Sequence, residues 1–269
     1  MLIPLHDANA LRHIRTPVVT RLLILANIAV YLLMLPDGLA ALADRLVLLF
    51  GFIPALVTHA AVLPPDLQLV PPEITFVTYA FLHGSISHIG INMIFLYIFG
   101  DNVEDAMGHG KFLFFYLACA AAGAGLHLIL TGQPEAPLIG ASGAISGVVI
   151  AYALLHPHVR LWVLVLFGIP VPLPAFIPLV FWIGQQFFEL VTGLGDSVSF
   201  AAHVGGIVAG GLLVLVLRRP GVPLFDRDIA RSRAAADEPV PVQPWRRIQN
   251  DKKGPSSDDS PPPATRWGR

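Results

Sequence analysis

A serine set among glycines, Gly140-Ala141-Ser142-Gly143, and a histidine ahead of a glycine pair, Ala202-His203-Val204-Gly205-Gly206, each stand near one end of a strongly apolar segment. A hydroxyl and an imidazole in contact make a nucleophile and its general base: the imidazole takes the hydroxyl proton and later returns it to a leaving amine. Polar and ionisable groups at membrane depth are costly to hold, so each reads as a functional candidate. Gly143 and Gly147 are four residues apart, as are Gly206 and Gly210, and the second pair shares the helix face of His203. Small residues at this spacing let helix backbones approach closely. A close crossing of these two helices would put Ser142 within hydrogen-bond reach of His203. The bland alternative is that the glycines only pack helices while Ser142 bonds its own backbone and His203 is a satisfied interior group. Either pattern alone is open to it; the two together at one depth favour the catalytic pair. Asp196, seven residues before His203, reads as a solvated loop acid, so a dyad rather than a triad is expected.

Two further polar residues belong to the same chemistry. His88 and Asn92 are four apart and share one helix face, from which both can donate toward a developing oxyanion. Removing one such donor typically slows a reaction by about 10²–10³, and the Ser142 backbone N–H would add another. His83 is a third candidate on the substrate side, but on a regular helix it lies about 140° from His88. Gly84-Ser85 predicts a break there, with Ser85 or Ser87 as N-cap, and a structural helix-end role is the favoured reading of His83.

The elements that must position these groups are membrane helices. Of 269 residues, 55% are hydrophobic and only 13% charged, against about 25% charged in ordinary soluble domains. The formal charge of −1 gives no argument for nucleic acid. The single cysteine, Cys119, lies in an apolar run and reads as a buried structural thiol; no Cys/His spacing resembles a zinc site. Apolar, charge-poor spans are expected near 19–36, 74–100, 112–131, 140–156, 173–192 and 199–217, each close to the roughly 17–25 residues that cross a bilayer. The stretch 159–169 is too short to span and is placed at the interface, cut off from the next span by Pro170, Pro172 and Pro174. Ala41-Leu42-Ala43 has the look of a signal-peptide cleavage site, but it falls late for a segment of about 15–30 residues. The expected organisation is a cytoplasmic segment 1–17, a membrane domain 18–217 and a disordered Pro-rich, charged tail 218–269.

Basic residues mark the cytoplasmic side of span ends. Arg12, Arg15, Arg21, Lys111, Arg160, Arg218 and Arg219 fall on one side of a six-span reading, and Arg45 alone on the other. Both termini are then cytoplasmic. Ser142, His203, His88 and Asn92 all come near the opposite face.

These residues together resemble the rhomboid family of intramembrane serine proteases, over about residues 18–217. The segment from Phe81 through His83, His88 and Asn92 is similar to the family's second-helix pattern. Gly100 through Gly108 resembles the turn after it, where Glu104 and Gly108 match residues that hold the turn. Gly140-Ala141-Ser142-Gly143 matches the nucleophile motif, and Ala202-His203 with Gly206 and Gly210 the base motif. The resemblance implies an all-α, polytopic membrane protein, a six-transmembrane-helix rhomboid-like bundle. It implies Ser142 as nucleophile, His203 as base, and His88, Asn92 and the Ser142 amide as oxyanion donors. The substrates it implies are single-span transmembrane proteins whose helix unwinds in the bilayer, with no metal or other cofactor. Ser146 stands where some members carry a tyrosine beneath the histidine, and loop 37–73 lacks the tryptophan some members have. Trp182, Gln185, Gln186 and Glu189 would line a lateral gate, the glutamines reading as interhelical hydrogen bonders. The rivals are an inactive relative that binds membrane clients and a small transporter. The transporter should show internal repeats and paired broken helices, neither of which the sequence has. Low charge, Ala/Gly/Pro richness and the lack of a targeting presequence point to a bacterial inner membrane.

Overall fold

The computed structural model describes residues 3–35, 40–67, 69–165, 168–193 and 199–227. The chain starts with strand β1 (Ile3–Asp7) and helix α1 (Val18–Met34), followed by α2 (Ala40–Phe50) and the single turns α3 (Pro54–Val57) and α4 (Thr75–Thr78). Five long helices follow, interrupted by one strand pair: α5 (Ile86–Met107), α6 (His109–Leu130), α7 (Ser142–Leu155), strands β2 (Arg160–Val165) and β3 (Ile169–Pro174), α8 (Phe176–Thr192) and α9 (Phe200–Leu217). The helices of the expected bundle are α1 and α5 to α9. By length and apolarity α6 and α9 each suffice to cross a bilayer; α1, α7 and α8 are apolar but shorter.

Two expectations need correction, and a third gains detail. The span placed at 74–100 is not one helix: Pro72–Phe81 and Ile86–Met107 meet at an angle of 84°. Gly84-Ser85 supplies the break, and Ser85 is the N-cap, its hydroxyl accepting from His88 N at 3.2 Å. The gap left between the expected spans 74–100 and 112–131 is helical except at its joint. The helix α5 runs on to Met107 and α6 begins at His109, with Gly108 between them at φ 87°. Finally, the stretch 159–169, expected to be too short to span, forms part of a sheet. It supplies β2 and the first residue of β3 in an antiparallel sheet ordered β1-β2-β3. Leu161 and Val163 are buried while Arg160 and Trp162 are exposed, the two-residue period of a half-covered strand. Prolines at every second position of β3 fit an edge strand, where alternate N–H groups point away from the partner.

The sheet lies at the bundle end where α1 begins and α5, α7 and α9 finish. Buried carboxylates tie that end together. Glu104, fully buried, accepts from Val19 N, Thr20 N and Thr20 Oγ1, and so caps α1 from a distant helix. Asp105 accepts the backbone N–H groups of Arg12, His13 and Ile14. Asp7 accepts from Tyr152 Oη at 2.6 Å and Asn102 Nδ2 at 3.2 Å. Beyond α9, Arg219 N bonds Ala106 O, Phe225 N bonds Leu154 O, and Asp226 pairs with Arg12. The tail assigned to 218–269 thus packs on the bundle as far as Arg227; residues 228–269 lie outside the described residues.

The centre is built on α9, which packs chiefly on α6 and α7. Its consecutive glycines serve different neighbours. A Cβ on Gly205 would stand 2.6 Å from Ala122 O of α6; one on Gly206 would overlap Gly143 O of α7, and one on Gly210 would come within 2.5 Å of Gly147 Cα. The two glycine pairs read from the sequence therefore face each other, backbone against backbone.

Candidate active site

Ser142 is the first residue of α7, and the backbone before it is pinned on three sides. Leu138 exchanges backbone hydrogen bonds with Phe52, Gly140 N donates to Tyr79 O at 3.0 Å, and Ala141 N donates to His83 Nε2 at 3.4 Å. Gly140 adopts φ 120°, which a residue with a side chain rarely takes, and a Cβ there would stand 2.6 Å from the His88 ring. The imidazole of His88 thus rests directly on the chain leading to Ser142. No side chain caps α7, so its first N–H groups and the positive end of its dipole are unspent at Ser142.

His203 lies one turn into α9. Ser199 caps that helix, its hydroxyl accepting from Ala202 N and meeting His127 Nδ1 at 2.7 Å. Ser142, His203, His88 and Asn92, from three helices, line one cavity of about 850 Å³ between α5, α7, α8 and α9. Ser142 and His88 also line a neighbouring cavity of about 690 Å³ toward the loop end of the bundle, with His127 and Glu189. No hydrogen bond joins Ser142 Oγ to His203 among the described residues. Asn92 Nδ2 donates to His88 O at 3.0 Å, inside its own helix.

His83 is placed differently. It is buried behind His88, their ring centroids 5.0 Å apart, and serves the Ser142 loop through Ala141 N. Glu104 and Gly108 belong to the opposite end, where a Cβ on Gly108 would stand 2.8 Å from Arg219 Nη2. Asp196 lies outside the described residues.

The sequence left the surroundings of His203 open, and α8 fills them. Ser146 cannot supply a ring; it is buried, donates to Ser142 O at 2.6 Å, and would lie 3.4 Å from a Cβ on Gly206. Trp182 stands near His203 instead, with centroids 6.2 Å apart and planes inclined by 30°. Gln186 is the interhelical hydrogen bonder expected of it, its Oε1 2.6 Å from His203 Nδ1. Trp182 and Gln186 are four residues apart, one face of a helix; that spacing is visible in the sequence, but not which neighbour the face meets. Gln185 lines the 850 Å³ cavity.

Comparison with known proteins bears on the family of the chain. Residues 73–220 match the family model of the Rhomboid domain. RHOMBOID-like protein 12, mitochondrial, of Arabidopsis thaliana is 30% identical over 161 residues, covering 54% of this chain and 46% of the relative. Rhomboid protein 1, mitochondrial, of Saccharomyces cerevisiae is 31% identical over 150 residues, covering 53% and 41%. Rhomboid protease GlpG of Serratia proteamaculans is 32% identical over 147 residues, covering 51% and 46%. The chain spans less than half the length of each of these relatives.

Proposed function

The chain belongs to the rhomboid family, whose members are integral membrane proteins and generally serine intramembrane proteases, and from that premise we propose that it hydrolyses peptide bonds within or beside transmembrane segments through Ser142 and His203. The observation that carries this reading is the single cavity lined by Ser142, His203, His88 and Asn92. Ser142 Oγ attacks the scissile carbonyl while His203 takes its proton. The oxyanion is met by the Ser142 N–H at the α7 terminus and by His88 and Asn92. His203 then protonates the leaving amine, and water hydrolyses the acyl-enzyme by the same steps in reverse order. The open contact between hydroxyl and imidazole accords with this, since such hydrogen bonds often tighten only with substrate bound.

The substrates are single-span membrane proteins that unwind locally, because a helical peptide bond has its carbonyl already paired and shielded. Access is through the gap beside α8. The chain is multi-pass with both termini on the more basic, cytoplasmic face, and a bacterial inner membrane suits its composition.

A fluorophosphonate probe tests the chemistry. Label should map to Ser142 and vanish in His203→Ala, and cleavage of a transmembrane substrate should fall at least about 10³-fold in Ser142→Ala. Undiminished cleavage by Ser142→Ala would refute the mechanism. A folded wild type that neither labels nor cuts would make the chain a client-binding relative.

A further inference from the structure

We propose that Gln186 is the positioning residue of this site: its side-chain amide holds His203 as the Nδ1–H tautomer and leaves the Nε2 lone pair for the Ser142 proton. The inference rests on the proteolytic reading of the site and adds a third group where the sequence offers no acid.

One member of the contact chain cannot change its role. The carbonyl of Trp182 can only accept a hydrogen bond, and Gln186 Nε2 lies 3.1 Å from it. The NH₂ of the amide is therefore turned toward Trp182, which leaves the oxygen toward α9. That oxygen lies 2.6 Å from His203 Nδ1. An amide oxygen also only accepts, so Nδ1 carries the hydrogen, and in a neutral imidazole the opposite nitrogen is then the acceptor. The order Trp182 carbonyl, Gln186 amide, His203 Nδ1 fixes the tautomer without a charge.

Burial makes the bond consequential. Gln186 is 4% exposed and His203 8%, so the bond between them is largely shielded, and a buried donor left unpaired is unfavourable. Trp182 acts twice in the arrangement, through its carbonyl on the amide and through its indole beside the imidazole. When His203 takes the Ser142 proton on Nε2, the Nδ1–H stays on Gln186. The imidazolium then gives the Nε2 proton to the leaving amine as the C–N bond breaks, so the ring returns to its starting tautomer. A neutral amide stabilises the imidazolium less than a carboxylate would, so its removal should matter less than the roughly 10⁴-fold loss seen when a triad acid is replaced.

The test uses the full chain in detergent or lipid. Gln186→Met keeps the shape and removes the acceptor; Gln186→Glu keeps an acceptor oxygen. Gln186→Met should lower kcat about ten- to a hundred-fold, with KM and thermal midpoint little changed, and Gln186→Glu should recover most of the loss. With ¹⁵N-histidine, His203 identified by its absence in His203→Ala should show a protonated Nδ1 and a bare Nε2 in the wild type, with the Nε2–H form appearing in Gln186→Met. A loss confined to KM or stability, or an Nε2–H tautomer in the wild type, overturns the assignment. A wild type that labels at Ser142 while Gln186→Met labels equally fast overturns Gln186 alone. A wild type that never labels overturns the proteolytic reading and this one with it.

Discussion

The two ends of the bundle use similar residues in opposite ways. Around the α5–α6 joint, Asp7, Glu104 and Asp105 are buried and each accepts from two or more donors, several of them main-chain N–H groups of other elements. At the other end Ser142, His88, Asn92 and His203 surround open volume, and no side chain among the described residues caps the start of α7. One set of polar groups closes the structure; the other is kept available. Burial alone does not separate them, since Glu104 and His203 are both enclosed. What separates them is whether their hydrogen-bonding capacity is used up within the chain.

The strongest way to break that contrast is at Glu104. Glu104→Ala strands Val19 N, Thr20 N and Thr20 Oγ1. It should cost on the order of 4 kcal/mol, read as a lowered unfolding midpoint in micelles. Asp7 sharpens it through pH. Burial, opposed in part by the Tyr152 hydrogen bond, pushes its carboxyl from 3.8 up to about 6. The folded state therefore favours the protonated acid. Stability from this group is complete below the unfolded value and is lost as pH rises through about 6. Between pH 4 and 7 the wild type should lose about 2 kcal/mol relative to Asp7→Asn; parallel pH curves for the two proteins would refute it. The smallest effect belongs to the open end: Ser142→Ala should shift stability by less than about 0.5 kcal/mol while abolishing probe labelling. A large destabilisation there would mean that the serine is a structural group after all.

Much of the open end was legible because its signals are local. Glycine spacing gave the crossing of α7 and α9, four-residue spacing joined His88 to Asn92, and Gly84-Ser85 marked the start of α5. The closed end was harder. Pairing of β1 with β2 joins segments more than 150 residues apart, and five or six residues of alternation are too few to stand out in an apolar chain. The partner of His203 was hidden for a related reason. Gln186 was recognisable as a buried amide seeking a mate, but only the packing of α8 on α9 decides which one it finds.

The shortness of α7 carries a consequence of its own. Fourteen residues rise about 21 Å, whereas the hydrocarbon of a bilayer is about 30 Å thick. The lower end of this helix is anchored, with Leu154 O and Leu155 O accepting from Phe225 and Asp226. With that end held to the bundle, Ser142 begins a helix eight residues shorter than α5 or α6. On the proposed proteolytic reading hydrolysis needs water at the serine, and a short α7 beside the longer α5 and α6 leaves room for it there.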